Sequence, residues 1–277
     1  EREAVPKVGY DIKSCIKVGY ELGCKLIGVG HDVLIGAFLI NSLRREQSLS
    51  ELASADLGYE GSPFENLAPE EVLPRVPEII AVIRGLYTQQ LEQLELLPKL
   101  HELAQTIEWP VIPVLAAMEY EGIQLNTEYL NKMSNELADQ ISDIEQQIYG
   151  YADQEFNVSS PSQLAEVLFN KLELPTQGIK KGKTGYSTAA NELDKLRGQH
   201  PIIDLITQYR EYTKLKSTYV DTLPTMVDER SRLHTTFNLT VAQTGRLSSN
   251  DPNLQNIPVR TDLGKKIRTA FVAGGGN

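Results

Sequence analysis

Apolar residues recur every three or four positions along two long stretches of the chain, and these predict its longest helices. The first begins after Asn126, a residue suited to cap a helix N-terminus. Leu130, Met133, Leu137, Ile141, Ile144 and Ile148 make its stripe, while Asn, Glu, Asp and Gln fill the opposite face. Carried to about residue 151, such a helix is a rod of roughly 36 Å. The second stripe runs through Ile202, Ile206, Tyr209, Tyr212, Leu215, Tyr219 and Leu223. Neither stripe can leave water alone, so an antiparallel helical pair with both stripes in its core is the economical packing. Between the rods, Ser160 and Pro161 open a shorter helix. The segment Thr176-Gln-Gly-Ile-Lys-Lys-Gly-Lys-Thr-Gly-Tyr-Ser187 follows, where three glycines with Lys180, Lys181 and Lys183 predict a mobile basic tip.

The flanks read differently. Residues 12–18, 26–29 and 33–39 are short apolar runs between glycine-rich breaks, residues 58–63 read as a loop, and residues 79–97 have helical spacing. Trp109-Pro-Val-Ile-Pro113 reads as a connector, leading to a short helix that ends near Gly122. After Arg232, residues 233–239 alternate like a strand, a polar loop follows, and Asp262 opens a short helix over residues 262–269. The expected class is α+β, predominantly helical, with no repeat or low-complexity segment.

With 277 residues the chain can hold one large or two to three small domains. A hydrophobic share of 41% and a charged share of 23% are those of an ordinary soluble protein. No apolar run approaches a membrane span, and the charged start Glu1-Arg2-Glu3 is not a signal peptide. Cys15 and Cys24 form neither a metal-ligand pattern nor a disulfide framework, so a reducing cytoplasm is the expected compartment. The net charge of −10 argues against a polyanionic partner until it is divided. Residues 1–160 hold 11 Lys and Arg against 26 Asp and Glu, a net −15, whereas residues 161–277 hold 16 against 11, a net +5. The second half is therefore the one suited to meet nucleic acid.

The chemistry concentrates in Thr244-Gly-Arg-Leu-Ser-Ser-Asn-Asp-Pro-Asn-Leu-Gln-Asn-Ile-Pro258 and the Val259-Arg260 that follows. Arg246, Asn253, Gln255, Asn256 and Arg260 are donors suited to base-edge acceptors, which the minor groove offers at every base pair. Gly245 would let the backbone approach such a groove. Composition alone would make this an ordinary polar surface loop. The lysine tip is not a phosphate-binding P-loop, because the Gly-x4-Gly-Lys-Ser/Thr spacing is absent.

This wording resembles the signature of the bacterial DNA polymerase I family, the family A DNA polymerases. Tyr209-Arg-Glu-Tyr-Thr-Lys-Leu-Lys-Ser-Thr-Tyr219 resembles that family's thumb-helix wording, and Leu263-Gly-Lys-Lys-Ile-Arg-Thr-Ala-Phe271 its approach to the palm sheet. The resemblance implies a partial ribonuclease-H-like 3′–5′ exonuclease domain over residues 1–97. It implies a helical thumb over 98–229 and the first palm strands over 230–277. It places Arg246 in the minor groove at the primer terminus, with Asn253, Gln255 and Asn256 beside it. Lys214, Lys216 and Ser217 would follow the duplex backbone. For the two lysines a solvated helix face remains the alternative.

Two departures qualify the resemblance. Family A catalysis uses two palm aspartates that hold two Mg²⁺ ions, and no DYSQIELR-like strand bearing the first of them occurs here. Gly9-Tyr-Asp-Ile-Lys-Ser-Cys15 resembles the exonuclease motif GxNxKxD with Cys15 in the aspartate's place, and residues 80–84 resemble YxxxD with Arg84 there. An arginine would repel a hard cation, so that domain reads as degenerate. His31 and Asp32, lacking further ligands, read as structural. The expectation is a monomeric fragment of a DNA-directed DNA polymerase that binds primer–template duplex without holding a metal. Mg²⁺ and deoxynucleoside triphosphates would be needed only by the full-length protein. The alternatives are a free-standing, non-enzymatic duplex-DNA-binding module and a helical RNA- or protein-binding protein.

Overall fold

Side chains at the helix starts fix much of the element order. In the computed structural model, which describes residues 5–183 and 185–274, β1 (Lys7–Gly9) leads through Asp11 into α1 (Ile12–Glu21). Strand β2 (Val29–Asp32) lies parallel to β1, and α2 (Val33–Ile40) follows directly. Ser48 and Glu51 form a capping box at the start of α3 (Leu49–Leu57). Helices α4 (Pro69–Glu95), α5 (Pro98–Leu103) and α6 (Trp109–Glu121) come next, the last two joined by a π turn over Ala104–Glu108. Then come β3 (Ile123–Leu125), α7 (Thr127–Ala152) and α8 (Pro161–Ala165), which continues as a π turn. The hairpin β4 (Lys181–Gly182) and β5 (Gly185–Tyr186) precedes α9 (Ala190–Leu193) and α10 (Ile202–Leu215). Short strands β6 (Arg232–Leu233), β7 (Thr236–Asn238) and β8 (Ser248–Asn250), helix α11 (Asp262–Thr269) and β9 (Phe271–Val272) complete the order. The charged start at residues 1–3 and the end at 275–277 lie outside the described residues.

The chain forms two compact units, neither continuous in sequence: residues 1–122 with 234–255, and residues 123–233 with 256–277. In the second, α7 and α10 pack as the expected antiparallel pair. Ser134 bonds Asp221 at 2.7 Å, Tyr209 reaches Glu145 at 3.4 Å, and the rings of Tyr151 and His200 are 5.3 Å apart, so the numbering runs opposite ways along the two rods. Asn126 caps α7 through the Tyr129 amide, and Ser160 caps α8 through the Gln163 amide, as the sequence predicts. Ile144, Ile148, Leu168, Ile202 and Ile206 lie in one apolar core. The second stripe is not one regular helix, because α10 widens into a π turn over Lys216–Val220. Strand β3 is central in a small antiparallel sheet, between β6 and β9.

The first unit departs further from its sequence reading. Residues 109–113 are helix, not connector: Pro110 falls in the first turn of α6 and Pro113 lies inside it. Trp109, Ile112 and Ala116 are buried in one cluster with Ile12, Ile16 and Ile35, and this packing overrides the helix-breaking tendency of proline. Helix α4 starts well before residue 79 and runs through Pro74 and Pro77. The strand expected over 233–239 is broken into β6 and β7, with His234 and Thr235 between them. Part of the polar loop is strand, since β8 pairs antiparallel with β7. In the second unit Thr261, not Asp262, caps α11, accepting from the Gly264 amide at 3.1 Å. Among the described residues no helix is long and apolar enough to cross a membrane.

Candidate nucleic-acid interface

The β7–β8 hairpin presents the first group of candidate residues. Phe237 stands opposite Ser249, and residues 239–247 form the hairpin tip. There the Gly245 amide bonds the Ala242 carbonyl at 3.0 Å, and Gly245 takes a left-handed φ of 72°. A Cβ at this position would meet nothing within 4 Å, so within the chain Gly245 serves the turn rather than a close approach. Arg246 follows it, exposed, and its guanidinium has no hydrogen bond or ion pair among the described residues.

Two buried hydroxyls that periodicity does not mark shape the returning segment. Ser249, only 2% exposed, accepts at Oγ from the amides of Leu254 (3.0 Å) and Gln255 (3.3 Å). Thr235 Oγ1 lies 2.8 Å from the Pro252 carbonyl and 3.1 Å from that of Asn250. Residues 250–255 are thereby folded back on the hairpin with Asn253 and Gln255 exposed. The Gln255 side chain donates through Nε2 to the Leu247 carbonyl at 3.0 Å, which commits part of its donor capacity inside the chain.

The remaining candidates lie in the second unit. Lys214 and Asn256 line a cleft of about 650 Å³ together with Arg210, Glu211, Thr218 and Pro258. Lys214 is exposed and makes no ion pair among the described residues, whereas Lys216 is held 2.8 Å from Asp221. Asp221 also takes the Ser134 hydroxyl, so Lys216 helps tie the π turn to α7. Ser217 donates its hydroxyl to the Lys214 carbonyl at 3.2 Å. Arg260 is exposed, with no side-chain partner among the described residues.

Lys180 lines a second cleft, of about 550 Å³, with Ser162, Gly182, Tyr186 and Arg210. The Lys181 ammonium stands 5.1 Å from the Tyr186 ring centre, a cation–π distance, and Lys183 is exposed. Arg210 therefore lines both clefts, with its guanidinium turned onto the Thr188 carbonyl and hydroxyl. It is not among the candidate residues that the sequence marks. Its signal was the i,i+4 spacing from Lys214, which puts both cations on one helix face.

Cys15 is exposed on α1 and Arg84 is exposed on α4. Desolvation around the sulfur, with Asp11 and Asp32 adding to it, pushes the Cys15 thiol up from its ordinary value. It is thus a poor ligand for a hard cation. Both neighbouring carboxylates are occupied as helix caps. Asp11 takes the amide and hydroxyl of Ser14, and Asp32 takes the amides of Ile12, Leu34 and Ile35. His31 bonds Gln90 at 2.8 Å and packs against Tyr87 and Trp109, so the His31–Asp32 pair is structural. Among the described residues no three His, Cys, Asp or Glu side chains are grouped so as to hold a metal ion.

The family model for DNA polymerase family A matches residues 127–277. The chain belongs to DNA polymerase family A. It is 39% identical to DNA polymerase I of Synechocystis over 96% of its length, which is 28% of that protein. It is 51% identical to the thermostable DNA polymerase I of Thermus thermophilus over 69% of its length, 23% of that protein. A solved structure, the POL domain of Pol1 from M. smegmatis in complex with DNA primer-template and dNTP, is also similar. The TM-score is 0.83 at 38% identity, over 99% of this chain and 47% of that one. The chain thus spans roughly a quarter to a third of the curated family A relatives it matches.

Proposed function

We propose that the whole protein is a DNA-directed DNA polymerase, a nucleotidyltransferase that adds deoxynucleotides to a primer 3′ end in replication and repair. The observation that carries this reading is the hairpin tip. An exposed, uncommitted Arg246 and the exposed amides of Asn253 and Gln255 are presented by a hairpin pinned from within, in a family A chain. A guanidinium offers five donors and keeps its charge, so it can hold a base-edge acceptor and a neighbouring sugar oxygen together. Arg246 would read the minor groove at the primer terminus. Lys214, Asn256, Arg260 and the lysines of the β4–β5 hairpin would follow the phosphate backbone, and the ion-paired Lys216 would do so less.

In this reading residues 1–97 are a partial exonuclease-like domain without exonuclease activity, 98–229 the thumb and 230–277 the start of the palm. Mg²⁺ would be required only by the whole enzyme, where it would supply Lewis-acid chemistry. The described residues do not fit that role, and its carboxylates would belong to other parts of the protein. The protein would act as a cytoplasmic monomer. Residues 1–277 alone would bind duplex weakly, without sequence preference and without extending it. Their affinity would fall with salt at a log–log slope of roughly −3 to −5.

The test is primer extension by the whole protein. Arg246→Ala should slow extension by roughly ten- to hundredfold, the scale of a lost charge-assisted hydrogen bond. Removing the groove acceptor from the primer-terminal base should slow the unmutated enzyme and leave the mutant unchanged. Additive losses would refute the contact.

A further inference from the structure

The outer edge of β7 has no strand beside it among the described residues, yet both polar groups of Phe237 are paired there. The Phe237 amide donates to Glu119 Oε1 at 2.7 Å, and its carbonyl accepts from Lys13 Nζ at 2.5 Å. Lys13 is itself ion-paired to Glu119 at 2.5 Å, and Lys17 reaches the other carboxylate oxygen at 2.7 Å. The Glu119 side chain is 1% exposed. Burial pushes its carboxyl up, but hydrogen bonds from Lys13, Lys17 and Phe237 outweigh this and hold it below the ordinary carboxylate range. The ion pair therefore does what a neighbouring strand would do, offering one acceptor and one donor to a single residue of an open edge.

Three residues further along the same chain there is a second hold. Gln47 donates to the Thr240 carbonyl at 3.1 Å and accepts from the Thr240 hydroxyl at 2.8 Å, a two-bond clasp on one residue. The Gln47 carbonyl is in turn bonded by the Tyr10 hydroxyl at 2.7 Å. Lys13, Gln47 and Tyr10 all come from residues 1–97, and Glu119 from α6.

We propose that the Lys13–Glu119 pair and Gln47 are positioning residues for Arg246, setting the register and aim of the hairpin that carries it. A buried ion pair is a poor source of stability compared with apolar packing, because both charges lose their water. Its directional bonds can nevertheless specify one register of an edge strand where apolar contacts permit several. The residues around the degenerate exonuclease motif thereby have a present task, to hold the primer-end sensor in place. The inference rests on the reading of Arg246 given above.

The experiment combines amide exchange with primer extension by the whole protein, using Glu119→Gln, Gln47→Ala, Arg246→Ala and the two doubles with Arg246→Ala. Gln47→Ala removes only half-buried side-chain bonds and guards against a Glu119→Gln protein that fails to fold. Amides of residues 236–250 should exchange about tenfold faster in Glu119→Gln and about two- to tenfold faster in Gln47→Ala, the range for lost charged and neutral hydrogen bonds. Extension should slow by similar factors, about two- to tenfold, with an unmutated Arg246, and not further in the Arg246→Ala background. A purely structural role would lower melting temperature in both backgrounds and slow extension equally in both. That equal slowing, or unchanged exchange in residues 236–250, overturns the proposal while the Arg246 reading stands. If Arg246→Ala by itself leaves extension unchanged, the reading and the proposal both fall.

Discussion

Both units have apolar cores, but they differ in the polar groups buried beside them. Around α7 and α10 the core is apolar: Ile148, Leu164, Leu168, Ile202 and Ile206 are fully buried, and among the described residues of that unit the buried polar ones are Thr188 and Glu192. The other unit buries Lys13, His31, Asp32, Gln90, Glu119, Thr235 and Ser249: Asp32 caps a helix, Lys13 and Glu119 hold the β7 edge, Gln90 joins His31 to the Val33 carbonyl, and Thr235 and Ser249 pin residues 250–255. Apolar contact is non-directional and tolerates small adjustments, whereas a buried hydrogen bond is satisfied in one geometry and costly when broken. Both units should thus lose stability in proportion to the apolar volume removed, and the first also according to which buried polar atom is left without a partner.

The largest effect expected is Ile206→Ala in the apolar unit, about 2–5 kcal/mol of unfolding free energy by denaturant titration. A loss below about 1 kcal/mol would mean that the two rods are not the main source of that unit's stability.

Asp32 should give the next effect, visible as pH dependence. Burial pushes its carboxyl up to about 6 from 3.8, with Asp11 adding to the rise and the capping amides opposing it. Between those values the folded protein holds a proton that the unfolded chain releases, so stability falls as pH rises from about 4 to about 6. The change is on the order of 3 kcal/mol. Asp32→Asn should flatten this slope. Glu119 has the opposite sign: its depressed carboxyl contributes above the ordinary carboxylate range, and that contribution is lost as pH falls through the lowered value.

A smaller loss, about 1–3 kcal/mol, is expected for Ser249→Ala, which leaves the Leu254 amide without its acceptor and the Gln255 amide with Asn253 Oδ1 alone. Exchange should accelerate first at Leu254, less at Gln255, and a uniform acceleration across the unit would show that the hydroxyl is not a local pin.

The smallest effects separate two lysines of one segment. Lys216→Ala should cost less than about 1 kcal/mol, since its pair with Asp221 is partly solvated. Lys214→Ala should leave stability unchanged and lower the salt slope of duplex binding by about 0.9. Equal changes in slope for the two would remove the distinction between a tethering lysine and a free one.

The same division decided what could be read from the sequence. Stripes of Leu and Ile at helical spacing located α7 and α10, and Asn126 and Ser160 marked helix starts, because caps and periodicity are local. Residues 109–113 were misread because proline's local preference is outweighed by the burial of Trp109 and Ile112, a tertiary fact. Of the candidate site, the ordered wording around Arg246 was legible. The parts that shape it, Ser249, Thr235 and Glu119, were not. A buried serine and an exposed one are the same letter, and the partners of Glu119 lie more than a hundred residues away on either side.

One contact in the segment after Asn256 has a bearing on chain length. A Cβ on Gly264 would come within 2.3 Å of the Pro258 carbonyl oxygen, so the first turn of α11 sits directly against the backbone that precedes it. Surface loops ordinarily absorb insertions and deletions at little thermodynamic cost. This one is closed by a close approach that leaves no room for a side chain at Gly264. Relatives should vary in length at the β4–β5 turn long before they vary between Pro258 and Gly264, and a single residue inserted there should displace Arg260 along with the cap at Thr261.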